Sequence, residues 1–173
     1  DYLPSSDIGQ NYLDLMQKSY QLLKDHPINL ERIKRGKNPA NSLWFWGEGT
    51  KPSLQTFKDR YGLNGTMISA VDLLKGIGKL AQMQVVEVEG ATGNYDTNFI
   101  GKANAALKVL DDGADFVYIH MEAPDECGHH GDAEGKIKSI EYLDKRVLSY
   151  LIDRFDDAGI DYSIMILPDH PTP

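Results

Sequence analysis

Between His120 and Asp132 the chain places three histidines and four carboxylates in thirteen residues, His120-Met121-Glu122-Ala123-Pro124-Asp125-Glu126-Cys127-Gly128-His129-His130-Gly131-Asp132. Asp125 and His129 are hard or borderline ligands four positions apart. In a turn, or in the first turn of a helix, they can converge on one divalent ion. Gly128 and Gly131 permit the tight backbone that such a loop needs. The same residues also read as a solvated polar loop ending in a helix N-cap. A second pair, Asp169-His170 within Pro168-Asp169-His170-Pro171, is an ordinary turn when taken alone. Its weight comes from position, because both segments follow apolar runs that read as strands. Two Asp/His loops at neighbouring strand ends could hold two metals, one for the attacking and one for the leaving oxygen of a phosphoryl transfer. Cys127 beside His129 and His130 also raises a Cys/His nucleophile, but that reading leaves Asp125 unexplained.

Other segments have two readings each. Gly90-Ala91-Thr92-Gly93-Asn94-Tyr95-Asp96-Thr97-Asn98 offers backbone N–H groups, hydroxyls and a helix start suited to an anion. It is equally a βα loop capped by Asp96 or Thr97. It is not a P-loop, since no Gly-Lys-Ser/Thr follows. Trp44-Phe45-Trp46-Gly47-Glu48-Gly49 carries both tryptophans and reads as core packing or as a pocket wall. Arg32, Lys34, Arg35 and Lys37 form a solvated basic face or a clamp for a carboxylate or phosphate.

These residues need elements to position them. Ile8, Tyr12, Leu15, Met16, Tyr20 and Leu23 recur at helical spacing and predict a helix over 8–25, ended by His26-Pro27. A short basic helix over 29–35 follows, stopped by Gly36. Then come a strand over 42–45, a helix over 54–61, a strand over 66–68, a helix over 70–81, a strand over 85–88, a helix over 97–110, a strand over 115–120, a long helix over 133–157 and a last strand over 163–167. On the long helix Ile137, Ile140, Val147, Leu148, Leu151 and Phe155 make the apolar stripe, with Asp144 near it as a structural hydrogen-bonding partner. Strands alternating with helices predict an α/β fold with a mainly parallel sheet and flanking helices. Ligands in such sheets bind beyond the carboxyl ends of the strands, where both Asp/His loops fall.

The chain has 173 residues, 41% hydrophobic and 25% charged, as in an ordinary globular protein. Its 18 basic and 26 acidic residues give a net charge of −8, which disfavours nucleic-acid binding through a broad basic face. No run approaches the ~18–20 apolar residues of a membrane span. The start, Asp1-Tyr2-Leu3-Pro4, lacks the pattern of a signal peptide, and the single cysteine suits a reducing compartment. The expected location is cytoplasmic. Further sequence is expected beyond both ends.

Several segments together resemble the archaeal-type, cofactor-independent phosphoglycerate mutases of the alkaline phosphatase superfamily. They are Leu43-Trp44-Phe45-Trp46-Gly47-Glu48-Gly49, Gly65-Thr66-Met67-Ile68-Ser69-Ala70-Val71-Asp72-Leu73, Gly90-Ala91-Thr92-Gly93, Asp96-Thr97-Asn98, Glu122-Ala123-Pro124-Asp125-Glu126, Gly128-His129 and Asp169-His170-Pro171-Thr172-Pro173. They occur in the family's order and span most of the chain from Asn29 onward.

The resemblance implies an alkaline-phosphatase-like core fragment over 42–173. Residues 1–41 would belong to, or border, an inserted substrate-capping domain. It implies two divalent metal ions (manganese, zinc or magnesium) and no 2,3-bisphosphoglycerate cofactor. Asp125 and His129 match the pair on one metal, and Asp169 and His170 match adjacent ligands on the other. The substrate would be a small phosphorylated metabolite, with 3- and 2-phosphoglycerate interconverted through an enzyme phosphoserine. The metals would lower the serine's pKa and stabilise the charge of the transferring group.

No serine here sits in a matching motif, so the nucleophile and an aspartate ligand are expected upstream and a further histidine ligand downstream. The chain by itself is therefore expected to be inactive as a mutase. Lys75, Arg32 and Arg35 are candidate substrate contacts. His26-Pro27-Ile28-Asn29 and Gly36-Lys37-Asn38-Pro39-Ala40-Asn41 look at least as much like a close branch proposed to act as a homoserine kinase. A phosphatase or sulfatase on the same framework and a non-catalytic interaction fragment are the remaining alternatives.

Overall fold

The first helical stripe folds as α1 (Asp7–Leu23), opened by the Ser6 hydroxyl accepting from the Gly9 amide at 3.0 Å. The computed structural model describes residues 6–47 and 49–172. The Asp1–Pro4 start, Glu48, Pro173 and the side chain of Ile8 lie outside the described residues. The chain divides into two compact units, Asp1–Lys51 and Pro52–Pro173.

In the first unit, the proline read as ending α1 also begins the next helix. α2 (Pro27–Lys34) carries Pro27 in its first turn, where a missing N–H costs nothing. Gly36, at φ 69°, closes it. The strand expected over 42–45 is not formed: the run has no strand to pair with among the described residues, and side chains bind the backbone at Ala40 and Leu43. The Asn29 amide donates to Leu23 O (2.8 Å) and Ala40 O (3.0 Å) and accepts from Ala40 N (2.9 Å). The Ser19 hydroxyl accepts from Leu43 N at 2.9 Å. Asn29 and Ser19 are both buried. Backbone pairing, not the apolar character of the run, makes a strand.

The second unit holds a three-stranded parallel sheet in the order β2-β1-β3, with β1 (Gly65–Ile68) central between β2 (Gln84–Val86) and β3 (Phe116–Ile119). Ile68 pairs with Val86 on one side and Ile119 on the other, so the carboxyl ends of all three strands are level. Alternation sends Met67 and Ile68 to opposite faces. Against Met67 lies α4 (Asp72–Leu80), whose Gly78 leaves room for Met67 and Val85. Against Ile68 lies α5 (Phe99–Asp111), whose Phe99, Ala103 and Ala106 join Val147, Leu151 and Phe155 in the main core. The expected α/β architecture is therefore the observed one.

Four local expectations are corrected. The helix expected over 54–61 is only α3 (Phe57–Tyr61), because the Thr56 hydroxyl caps it at Asp59 N. The Asn98 side chain, not Asp96 or Thr97, caps α5 at Gly101 N. The long helix is present as α7 (Ala133–Leu143) and α8 (Ser149–Ala158), joined by a π-helical turn over Asp144–Leu148. That turn resets the stripe, so Val147, Leu151 and Phe155 are buried while Ile137 and Ile140 are exposed, as is Asp144. Residues 163–167 form no strand. They have no hydrogen-bonded neighbour among the described residues, and Met165 and Leu167 are 80% and 75% exposed. Among the described residues no helix is long and apolar enough to cross a membrane.

Candidate metal centre

The polar segment after β3 is a short helix, α6 (Ala123–His129), and not an open loop. Pro124 sits in its first turn, and Gly131 at φ 67° turns the chain into α7, which Asp132 caps at Gly135 N. A helix puts positions i and i+4 on one face. Asp125 Oδ2 accordingly lies 3.4 Å from His129 Nε2. The second pair comes to the same place: His170 Nε2 is 3.9 Å from Asp125 Oδ1 and 3.6 Å from Asp169 Oδ2. His129 and His170, from segments some forty residues apart, thus lie beside Asp125, and Asp169 lies beside His170.

The Thr172 hydroxyl donates to Asp125 Oδ1. That bond is the main cause holding the Asp125 carboxyl below its ordinary pKa, with His129 and His170 acting in the same direction. Lys136 Nζ donates to the Thr172 carbonyl at 3.2 Å.

Behind this cluster, at the strand ends, is a polar layer. His120 N donates to Ile68 O at 2.9 Å, and its Nδ1 is 3.4 Å from the Ser69 hydroxyl. Lys102 on α5 is 1% exposed and donates from Nζ to His120 O at 3.1 Å. Burial pushes the Lys102 ammonium down, against the pull of Glu122. Burial also lowers His120, helped by the Lys102 charge, and raises Glu122. The Glu122 carboxylate lies so close over Gly93 that a Cβ there would be 2.5 Å from Oε2. The Gly90–Asn98 loop is therefore packed against the start of α6, and Thr92 N is bound by the Thr97 hydroxyl at 2.8 Å.

Sequence reasoning did not single out Lys102, Lys136 or Thr172. The helical period could have found Lys102, since Phe99, Ala103 and Ala106 place position 102 on the buried face. No local pattern announces Lys136, and Thr172 lies inside the Asp169–Pro173 motif without a role of its own.

The other candidates are engaged elsewhere. Lys75 on α4 pairs with Glu87 at 2.9 Å and Asp72 at 3.5 Å. Arg32 donates to Asn38 O at 2.8 Å, and Arg35 pairs with Glu31 at 2.9 Å, all within the first unit. Trp44 and Trp46 stack with centroids 6.4 Å apart and are exposed, so neither is core. Cys127 is buried, and burial raises its thiol pKa. It is held as a thiol, which weakens the nucleophile reading.

The donor set of two carboxylates and two imidazoles suits a divalent ion in chemical kind. Among the described residues, no group of three or more His, Cys, Asp and Glu side chains is already arranged to hold one. The cluster gathers candidate ligand side chains without completing a coordination shell.

A model of the Metalloenzyme superfamily matches residues 3–173. A 2,3-bisphosphoglycerate-independent phosphoglycerate mutase of Methanosarcina acetivorans is 49% identical over 173 residues, covering 100% of this chain and 43% of its own length. A protein of the same name from Methanothrix thermoacetophila is 47% identical over 173 residues, covering 100% and 44%. The chain thus spans less than half the length of these relatives. A solved structure from Pyrococcus horikoshii superposes with a TM-score of 0.75 at 35% identity, over 87% of this chain and 39% of that one. A cofactor-independent phosphoglycerate mutase from Thermoplasma acidophilum shares the fold, with a TM-score of 0.55 at 24% identity, over 89% and 38%.

Proposed function

Because the chain belongs to the Metalloenzyme superfamily, we propose that it is part of a metal-dependent phosphoglycerate mutase that interconverts 3- and 2-phosphoglycerate. The carrying observation is the meeting of Asp125, His129, Asp169 and His170 beside the carboxyl end of β3, in a chain 46–49% identical to several enzymes of that name.

In this reading Asp125 and His129 hold one divalent ion and Asp169 and His170 the other, with manganese, zinc or magnesium as occupants. Ligands outside residues 1–173 complete both shells. The ions supply charge stabilisation for a transferring phosphoryl group. This chain's own residues do the positioning. The i, i+4 spacing on α6 aims a carboxylate and an imidazole the same way. The Thr172 hydroxyl fixes one oxygen of that carboxylate. The Ser69–His120 contact and the Lys102 ammonium tie the β3–α6 corner to the sheet. The nucleophilic serine lies outside this chain. Lys75, Arg32 and Arg35 remain candidates for the substrate's carboxylate or phosphate, each needing to exchange its present partner. The domain reading also stands as a proposal: residues 1–41 belong to or border a substrate-capping insertion, 42–173 are core, and the enzyme works in the cytoplasm.

The test uses the full-length protein with Mn²⁺, following 3- to 2-phosphoglycerate conversion without ATP, beside homoserine phosphorylation with ATP. Conversion without ATP is the expected result, abolished in Asp125→Ala and Asp169→Ala. Turnover only with homoserine and ATP would move the function to the kinase branch. Unchanged metal content and activity in both alanine variants would overturn the site.

A further inference from the structure

We propose that Lys136 and Thr172 form a clamp that docks the Asp169–His170 segment onto α6 and sets the orientation of the Asp125 carboxylate, which makes them positioning residues of the metal centre. The inference rests on the metal reading above for its consequence, and on geometry alone for its existence. Thr172 is used at both ends: its hydroxyl donates to Asp125 Oδ1, and its carbonyl accepts from Lys136 Nζ at 3.2 Å. Its methyl lies across α6 at Gly128. A Cβ there would be 2.9 Å from Thr172 Cγ2 and 3.1 Å from Lys136 Nζ. Gly128 is thus the seat of the clamp. The glycine is needed there for close approach, not for backbone freedom.

The arrangement divides the work of the two carboxylate oxygens. Oδ1 is occupied by the hydroxyl, while Oδ2 faces His129 Nε2. A carboxylate free to rotate would present either oxygen. Held this way it keeps Oδ2 toward His129 Nε2 and Oδ1 toward His170 Nε2, 3.9 Å away. The same clamp carries Asp169 and His170 to α6, although 163–167 just before them has no backbone partner among the described residues. Lys136 and Thr172 supply hydrogen-bonded ties between the segment of the second Asp-His pair and the α6–α7 corner, beside the 3.9 Å His170–Asp125 contact.

Hydrogen-bond partners behind a metal ligand typically change metal affinity by about 10–100-fold when removed. The experiment uses the full-length protein and two readouts. Amide exchange of the metal-free protein reads docking: Thr172→Val should speed exchange at His170 by about tenfold and leave the β1–β3 ladder unchanged. Mn²⁺ titration reads the consequence: Thr172→Val and Lys136→Met should each weaken binding by about 10–100-fold, and the double variant no more than the worse single. Thr172→Ser and Lys136→Arg, which restore the hydroxyl and the cation, should recover most of the affinity. Unchanged exchange in Thr172→Val overturns the clamp. Unchanged Mn²⁺ affinity with faster exchange overturns its role toward the metal. If the wild-type protein binds no Mn²⁺, the metal reading fails, and exchange still decides whether the clamp exists.

Discussion

At the residue scale, the deciding feature is one buried cation. Lys102 donates to the His120 carbonyl, and its charge acts on both His120 and Glu122. Replacing it with methionine keeps the volume and removes the charge. The pKa values of His120 and Glu122 should then both rise, because the lysine lowers each. NMR titration of Lys102→Met checks this, and unmoved values would mean that burial alone sets them. Folding stability follows from the same geometry. The folded His120 has its pKa below the usual 6.5, so between the two values the unfolded chain binds more protons. Stability is then full above the unfolded value and falls as pH drops from about 6.5 toward the folded pKa. Melting temperatures of wild type and His120→Asn between about pH 7.5 and 5.5 should show the steeper loss in wild type. Asp125, His129, Asp169 and His170 were legible from residue type and motif. Lys102 was legible only through its period, and Thr172 only as part of a motif without a role, since its partners lie 36 and 47 residues away.

At the element scale, a side chain replaces regular structure in the first unit. Asn29 makes three hydrogen bonds to backbone groups, one to Leu23 and two to Ala40, and so satisfies both backbone groups of Ala40 without a strand. Asn29→Ala should destabilise the first unit by about 1–3 kcal/mol, since a buried side chain and its three part-buried hydrogen bonds are lost together. Chemical denaturation followed by tryptophan fluorescence would read this near Trp44 and Trp46. In the sheet, Gly78 sits where a Cβ would be 3.0 Å from Met67 Cβ and 3.1 Å from Val85 Cγ2. Gly78→Ala gains helix propensity but crowds the β1–α4 contact, and a net loss of roughly 1–3 kcal/mol in urea unfolding is expected. The sequence period located α1, α4, α5 and the central strands within a few residues, because tertiary packing there agrees with the local pattern. It failed at 42–45 and 163–167, where an apolar β-like run lacks a strand to pair with. Partnership is a property of the fold and is not written in the run.

At the scale of the whole molecule, the unpaired stretch and the apolar surface belong together. Leu22, Trp46, Met165 and Leu167 are each at least 75% exposed, and β2 and β3 both present a free edge among the described residues. Such surfaces associate. The 173-residue chain alone should form concentration-dependent oligomers in sedimentation velocity. A monomer with a sharp, high-temperature melt would contradict this. The net charge of −8 slows but does not prevent association, and added salt should promote it.

The π-helical turn over Asp144–Leu148 bears on how this chain can change length. It accommodates one residue more than an α-helical turn with the same advance. Deleting one residue there would convert the stretch to ordinary α-helix and leave Leu151 and Phe155 aimed at α5. The same deletion further along α8 would rotate everything after it by about 100° and turn Phe155 out of the core. Within this helix, the five residues from Asp144 are where a single-codon loss is survivable.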